Sequence, residues 1–327
     1  MTRMDEPTFP DAYARGRRIL IRLHSLGDVV LAQPAAKALA GGGNVHFVTS
    51  LEYLPVVERM EDVVPVPHLR KTGWRGLRSI LREFSATADV VVDLQNNLTT
   101  RLATSGMNVT GRFRMNRKLR RKVMAGGSGT MNPRRLDFLR AVGAVEGGMP
   151  VLARHGGPSA EKMVGLVAGG RWKMKSIPVG VLAETARILL DVYGVGVVFV
   201  GGPDDEEDVM RAAEETRREG VSTYSGEAGL GGLFEVMERL SLLVSPDSGP
   251  AHLAAAMGIP VVVVFTSTSP GLGFWEEGSA DFFFSGDLKC RPCHPHGGSR
   301  CPEGGESCRL SIVPMKLARR AMRLIES

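Results

Sequence analysis

The chain is short of several things, and each shortage narrows what it does. No apolar run in its 327 residues approaches the roughly 20 needed for a membrane-spanning helix, so no span is predicted. The first stretch, Met1–Arg18, is polar, mixes acids with bases and lacks the apolar core of a secretory signal peptide; a cytoplasmic protein is expected. Cysteine is absent until Cys290, and the only others are Cys293, Cys301 and Cys308. In a reducing compartment such a late cluster reads as metal ligands or free thiols rather than disulfides. With His294 and His296 as alternative donors, a structural zinc and a loop of reduced thiols both stay open. No Asp-x-Asp pair occurs, so the acidic device that holds a divalent cation against a nucleotide diphosphate is missing and no cofactor is required.

Acidic residues are also missing locally. None lies between Asp93 and Asp137, while Arg101, Arg112, Arg114, Arg117, Lys118, Arg120, Arg121, Lys122, Arg134 and Arg135 all do. A net charge of +6 suggests an acidic partner without choosing one. The acid-free segment reads either as a solvated face or as an anion-facing surface. Its stretch from Arg112 to Lys122 carries one aromatic, Phe113, so the stacking platform of a single-strand binder is missing. No nucleic-acid partner is expected, although a basic, non-catalytic nucleic-acid-binding α/β protein remains the competing class.

What is present is an alternation. Apolar runs at Ile19–Leu23, Asn44–Val48, Val63–Val66 and Asp89–Val92 read as strands, with helical periods at Val29–Ala40 and Trp74–Phe84. After the Gly/Pro-rich stretch Gly143–Pro158 the pattern resumes. Strands are predicted at Lys162–Val167, Val195–Val200, Val221–Tyr224, Leu242–Ser245 and Pro260–Phe265. This rhythm predicts an α/β fold of parallel sheets with helices on both faces. The length exceeds what one core usually supports, so two doubly wound domains are expected, 1–155 and 156–312. Ligands then bind beyond the carboxyl ends of the strands, in the cleft between the domains. The basic amphipathic helix within 313–327 is expected to pack back towards the N-terminal domain.

Polar residues gather at the predicted strand ends. In Asp247-Ser248-Gly249-Pro250-Ala251-His252 a strand ends and a helix opens. Proline is tolerated in a first helical turn, and free N–H groups with the positive end of the dipole attract an anion. Ser248 and Gly249 are therefore candidate diphosphate contacts. Asp247 would fix the turn, and His252 reads as a ligand-side or turn-bracing residue. Ser25-Leu26-Gly27-Asp28 follows the first strand; Gly27 permits a tight turn or close approach. Asp28 is either a helix cap or a general base. Gln95, Asn96 and Arg101 crowd another strand end. Arg171, Lys173 and Lys175 follow the first strand of the second half, where a cation could neutralise a leaving diphosphate. Gly201 and Gly202, with Glu206 beyond them, and Gly226 border two further strand ends.

Together, Arg22–Val30, the Asp93-Leu94-Gln95 segment, Trp172–Lys175 and Asp247–His252 resemble the motifs of the heptosyltransferases, glycosyltransferase family 9. The resemblance runs from Ile19 to about Ile312. Ile177 stands where that family usually has a second tryptophan, and Phe265-Thr266-Ser267-Thr268 where it commonly has Phe-Gly. The resemblance implies the GT-B architecture of two Rossmann-like domains, the first for the acceptor and the second for the nucleotide sugar. It implies inverting, metal-independent transfer of heptose from ADP-heptose to the lipopolysaccharide core on lipid A, with the enzyme peripheral on the anionic inner face of the inner membrane. Asp28 would be the base and Lys175 the phosphate contact. Ser25, Gly27, Gly201, Gly202, Glu206, Gly226, Asp247, Ser248, Gly249 and His252 would line the donor. Gln95, Asn96, Arg101, Arg117, Arg120 and Arg121 would receive the acceptor. A family member using another sugar or acceptor is the nearest alternative.

Overall fold

A computed structural model describes residues 17–85, 88–126 and 130–326; most of the segment read for a signal peptide lies outside them. Two parallel sheets organise the chain. The first has the order β3-β2-β1-β4-β5, formed by β1 (Arg17–Ile21), β2 (Val45–Ser50), β3 (Val63–His68), β4 (Ala88–Asp93) and β5 (Gly111–Arg112). β1 lies between β2 and β4, with Ile19 opposite His46 on one side and Val91 on the other. The second has the order β11-β10-β9-β6-β7-β8. Its strands are β6 (Met163–Val167), β7 (Gly196–Val200), β8 (Val221–Tyr224), β9 (Leu242–Pro246), β10 (Val261–Phe265) and β11 (Asp281–Phe284).

The apolar runs of the sequence are these strands because a parallel sheet covered on both faces must be apolar on both. Ile19, Leu20 and Ile21 are fully buried, as are Val262 and Val263. Each such side chain contributes about 1.5–3 kcal/mol by leaving water. That leaves the polar chemistry to the loops at the strand ends. In each sheet the strand order reverses once, between β1 and β4 and between β6 and β9. The loops that follow those four strands are where an open α/β sheet takes its ligand. They begin at Arg22, Leu94, Ala168 and Asp247.

The chain divides into two compact units, one built from described residues up to Met115 plus Asn132–Ala153, the other from Asn116–Met131 and Arg154 onward. This differs from continuous domains 1–155 and 156–312. The helix Arg117–Met124 is grouped with the second unit, where Met131 donates its N–H to the Gly271 carbonyl at 2.8 Å. The C-terminal helix, Pro314–Glu326, also departs from expectation. Leu317, Ala318, Ala321 and Met322 lie in the second unit's own core, against the helix Val179–Tyr193. Those four form an i, i+1, i+4, i+5 stripe, which the helix Val179–Tyr193 covers together with β9 and β10. β5, β11 and the helices Leu98–Ala103 and Arg134–Ala141 are short elements that apolar periodicity did not announce.

Candidate functional site

At the first unit's reversal point the chain leaves β1 through Arg22, a single charge at the end of an apolar strand. Arg22 is buried, donates to the Leu94 carbonyl at 2.9 Å and pairs with Asp28 Oδ2. Burial lowers the Arg22 pKa, and the Asp28 charge works against that shift. Arg134 reaches the other carboxylate oxygen at 3.6 Å. Both guanidiniums lie over aromatic faces: Arg134 is 4.7 Å from the Phe113 ring centroid and Arg22 5.5 Å from that of Phe138. Asp28 is thus a carboxylate fixed by two cations in the first turn of the helix Leu26–Leu31. Its side chain keeps 11% of its surface exposed. Such a group is positioned to take a proton from a hydroxyl.

The turn before this helix is made at Ser25, with φ 76°, and not at Gly27, which is helical. Ser25 is exposed beside the half-buried His24. Burial, then Arg22 and Arg70, lower the His24 pKa, so its ring is neutral near pH 7. Gln95 braces the strand end: its Oε1 accepts the N–H groups of Leu23 at 3.1 Å and His24 at 3.3 Å. Asn96 and Arg101 bond to each other at 2.9 Å, and Asn96 also donates to the Phe113 carbonyl. Beneath them the fully buried Asp93 accepts from Arg112 and from the N–H groups of Gln95 and Asn96.

The acid-free segment is therefore not one anion-facing surface. Arg112 neutralises Asp93; the buried Arg134 approaches Asp28, and the buried Arg135 donates to the carbonyls of Gly147 and Gly148. Arg117, Arg120 and Arg121 belong to the other unit, on the helix Arg117–Met124, where Arg120 contacts His296 at 3.5 Å. A run of like charge in sequence dispersed because several of its members satisfy buried carboxylate or carbonyl oxygens, which costs less than leaving those oxygens bare.

At the second unit's reversal point the loop after β6 carries Lys175 and the loop after β9 carries Asp247. Lys175 Nζ lies 3.0 Å from Asp247 Oδ2. Thr268 donates to Oδ2 at 2.8 Å, and the Trp275 indole N–H donates to Oδ1 at 2.9 Å. Burial acts to raise the Asp247 pKa; the adjacent Lys175, then His252 and the hydrogen bonds, bring it below the ordinary carboxylate value. His252 is buried and stacks on Trp275, centroids 4.0 Å apart. It braces the turn from behind, since the stack takes up its ring face.

Ser248 opens the helix Gly249–Ala256 but makes no side-chain cap to it; its hydroxyl bonds Ser245 at 2.8 Å. The partly exposed start of the helix, Ser248 and Gly249, so presents N–H groups that no cap occupies. Packing by itself requires glycine at Gly201 and Gly226. A Cβ at Gly201 would lie 2.6 Å from Val209, and one at Gly226 2.6 Å from Pro203. Glu206 stands exposed in the first turn of its helix. Its neighbour Asp205 ties the two loops together, accepting from the N–H of Gly170 at 2.7 Å and of Gly202 at 3.0 Å.

All four cysteines are free thiols, and among the described residues no group of three or more His, Cys, Asp or Glu is disposed to hold a metal. Burial raises the Cys293 and Cys308 pKa values, keeping both thiols protonated. The loop is held instead by backbone and arginine hydrogen bonds, such as Cys293 N–H to the Ser267 carbonyl at 3.1 Å. Arg134, Thr268 and Trp275 escaped the sequence reading because they lie far along the chain from the carboxylates they serve. Arg22 had a visible signal, being one charge in an apolar strand.

Residues 148–295 match the model of glycosyltransferase family 9, described as heptosyltransferase. Over 77% of this chain and 79% of the relative, the sequence is 20% identical to the lipopolysaccharide core heptosyltransferase OpsX of Haemophilus influenzae. The crystal structure of a family 9 glycosyltransferase from Veillonella parvula superposes with a TM-score of 0.77 at 20% identity, covering 98% of this chain and all of that one. The ADP-heptose lipopolysaccharide heptosyltransferase II of Escherichia coli does so with a TM-score of 0.72 at 18% identity, covering 95% and 98%. The two sheets are thus those of the GT-B fold.

Proposed function

We propose that the chain is a family 9 glycosyltransferase, as the match over residues 148–295 supports, and that it transfers heptose from ADP-heptose to a lipopolysaccharide inner-core acceptor. The reading is carried by one observation: each sheet's reversal point presents an ion anchored by a buried counter-ion, Asp28 on Arg22 in the first unit and Lys175 on Asp247 in the second.

In this reading Asp28 removes the proton from the acceptor hydroxyl as its oxygen attacks the anomeric carbon. The C–O bond to ADP breaks on the opposite face, so the configuration inverts. Lys175 and the N–H groups at Ser248–Gly249 stabilise the charge that builds on the departing diphosphate. That compensation is the protein's own. Arg101 in the first unit, and separately Arg117, Arg120 and Arg121 in the second, are the candidate cations for acceptor phosphates and carboxylates. The exposed Trp74, Leu98 and Leu102 beside Arg75 and Arg101 suit an anionic lipid surface. No helix among the described residues is long and apolar enough to cross a membrane.

The test is transfer by purified protein from ADP-heptose to heptose-free core lipid, read as a mass gain of one heptose. Turnover with a different nucleotide sugar and none with ADP-heptose would reassign the donor. Activity is expected to persist in EDTA.

A further inference from the structure

Lys175 sits in a single 3-10 turn, Lys173–Lys175, outside any long helix or strand. A turn that short has little rigidity of its own, yet this one is gripped from several sides. Thr266 Oγ1, buried past the end of β10, bonds the carbonyls of Met174 at 2.8 Å and Lys175 at 3.0 Å. Arg291 donates to the Thr266 carbonyl at 2.8 Å. The Gly298 carbonyl accepts the Met174 N–H at 2.9 Å. Arg309, itself buried, donates to the Ser176 carbonyl at 3.0 Å and to its hydroxyl at 3.2 Å. Arg309 is also paired with Glu306, and its remaining N–H groups are spent on holding this turn.

Gly297 completes the grip. Its φ of +85° is one that a side chain rarely adopts, and a Cβ there would overlap Lys175 Cγ, lie 2.7 Å from Cδ and 2.9 Å from Trp172 Cβ. The loop backbone thus lies directly on the aliphatic stem of Lys175.

We propose that the segment 291–309 is a positioning clamp for Lys175, in which Gly297 confines the lysine stem and Arg309 fixes the turn that carries it. The clamp lets a flexible four-carbon side chain present its ammonium in one place, against Asp247, before any ligand arrives. It extends past the family-model match, which ends at residue 295. Its functional consequence rests on the reading of Lys175 as the diphosphate contact; its structural claim does not.

Two readouts separate the claims. The first is competitive acetylation of Lys175 followed by mass spectrometry. Gly297→Ala is expected to speed labelling about tenfold as the ammonium loses its hold on Asp247, and Arg309→Ala to do so less, with Arg309→Lys restoring part of the protection. Gly220→Ala, at a similar φ of +80° and far in sequence from this turn, should leave Lys175 labelling unchanged. Equal labelling in wild type, Gly297→Ala and Arg309→Ala overturns the clamp, whatever Lys175 does.

The second readout is a double-mutant cycle on transfer. A misplaced cation costs up to about a hundredfold in kcat. If Gly297 acts through Lys175, Gly297→Ala adds less than about twofold on a Lys175→Ala background. A full additional loss overturns the functional claim. Lys175→Ala with unchanged kcat and ADP affinity overturns the diphosphate reading instead and leaves the clamp to be judged by labelling.

Discussion

The two reversal points are built on one plan with the charges exchanged. In the first unit the loop after the first strand offers a carboxylate, Asp28, and the buried partner is a cation, Arg22, with 5% of its side chain exposed. In the second unit the corresponding loop offers a cation, Lys175, and the buried partner is a carboxylate, Asp247, with 6% exposed. In both, the outward ion keeps more surface than its anchor, 11% for Asp28 and 19% for Lys175. Parallel-sheet topology thus supplies a place for an ion; the residue set beneath it decides the sign. A carboxylate so held suits proton abstraction, and an ammonium so held suits a leaving anion. Neither role is open to the anchors. Asp247 has both oxygens committed to Lys175, Thr268 and Trp275; Asp28 meets Arg22 at one oxygen and Arg134 at the other, and keeps more of its surface exposed than Asp247 does.

The comparison breaks most sharply at the two carboxylates themselves. Asp28→Asn is expected to lower transfer by about 10³–10⁴-fold, with ADP affinity measured by calorimetry within about twofold of wild type. The substitution also strips the buried Arg22 and Arg134 of their counter-ion, so a loss of about 3 kcal/mol in urea unfolding is expected beside the loss of turnover. Substantial turnover in this variant would remove Asp28 from the base role.

Asp247→Asn tests the second unit in the same way. It strips Lys175 of its buried counter-ion and is expected to cost about 3 kcal/mol in urea unfolding. It should also alter the pH dependence. The Asp247 pKa is lower in the folded chain, so the group contributes stability above the ordinary carboxylate value of roughly 4. That contribution is lost as pH falls through the lower folded value. Wild type and variant are therefore expected to converge in acid and diverge towards neutrality. Parallel curves would show that Asp247 is not the anchor.

Smaller substitutions sharpen the picture. Trp275→Phe keeps the ring that stacks on His252 but removes the N–H given to Asp247, and should cost about 1.5–2 kcal/mol of stability. Gln95→Ala removes the acceptor for two N–H groups beside Asp28. A loss of about 1 kcal/mol and a several-fold drop in kcat at constant ADP affinity are expected. Equal weakening of ADP binding in that variant would mean that the two halves are less independent than their separate anchors suggest.

The parts that could be read along the chain are those whose cause is local. β1, β2, β6, β7, β9 and β10 were visible because strands buried on both faces need unbroken apolar runs. Strand-end position drew attention to Asp28, Lys175 and Asp247, but it left Asp28 as cap or base and Lys175 level with Arg171 and Lys173; the family resemblance made the choice. The acid-free basic segment misled for the opposite reason. Charge density along a chain says nothing of which members turn inward, and Arg134 and Arg135 did, while Arg117, Arg120 and Arg121 went with the other unit. The glycines divided in the same way: Gly27 was read as a turn, but the positive φ fell on Ser25, and Gly201 is small because Val209 packs against it.

Read along the chain alone, the residues determined the sheets, their parallel sense, the strand ends where polar residues gather and a resemblance to the heptosyltransferases. These follow from burial patterns and short-range turn chemistry, which act between neighbours. What holds each of these ions was decided by packing between distant parts of the chain. The partners of Asp28 and Asp247 include Arg134, Thr268 and Trp275, and the wall against Lys175 is Gly297. All of these arrive from distant parts of the chain because buried ions must be neutralised by whatever the packed fold brings within hydrogen-bond reach.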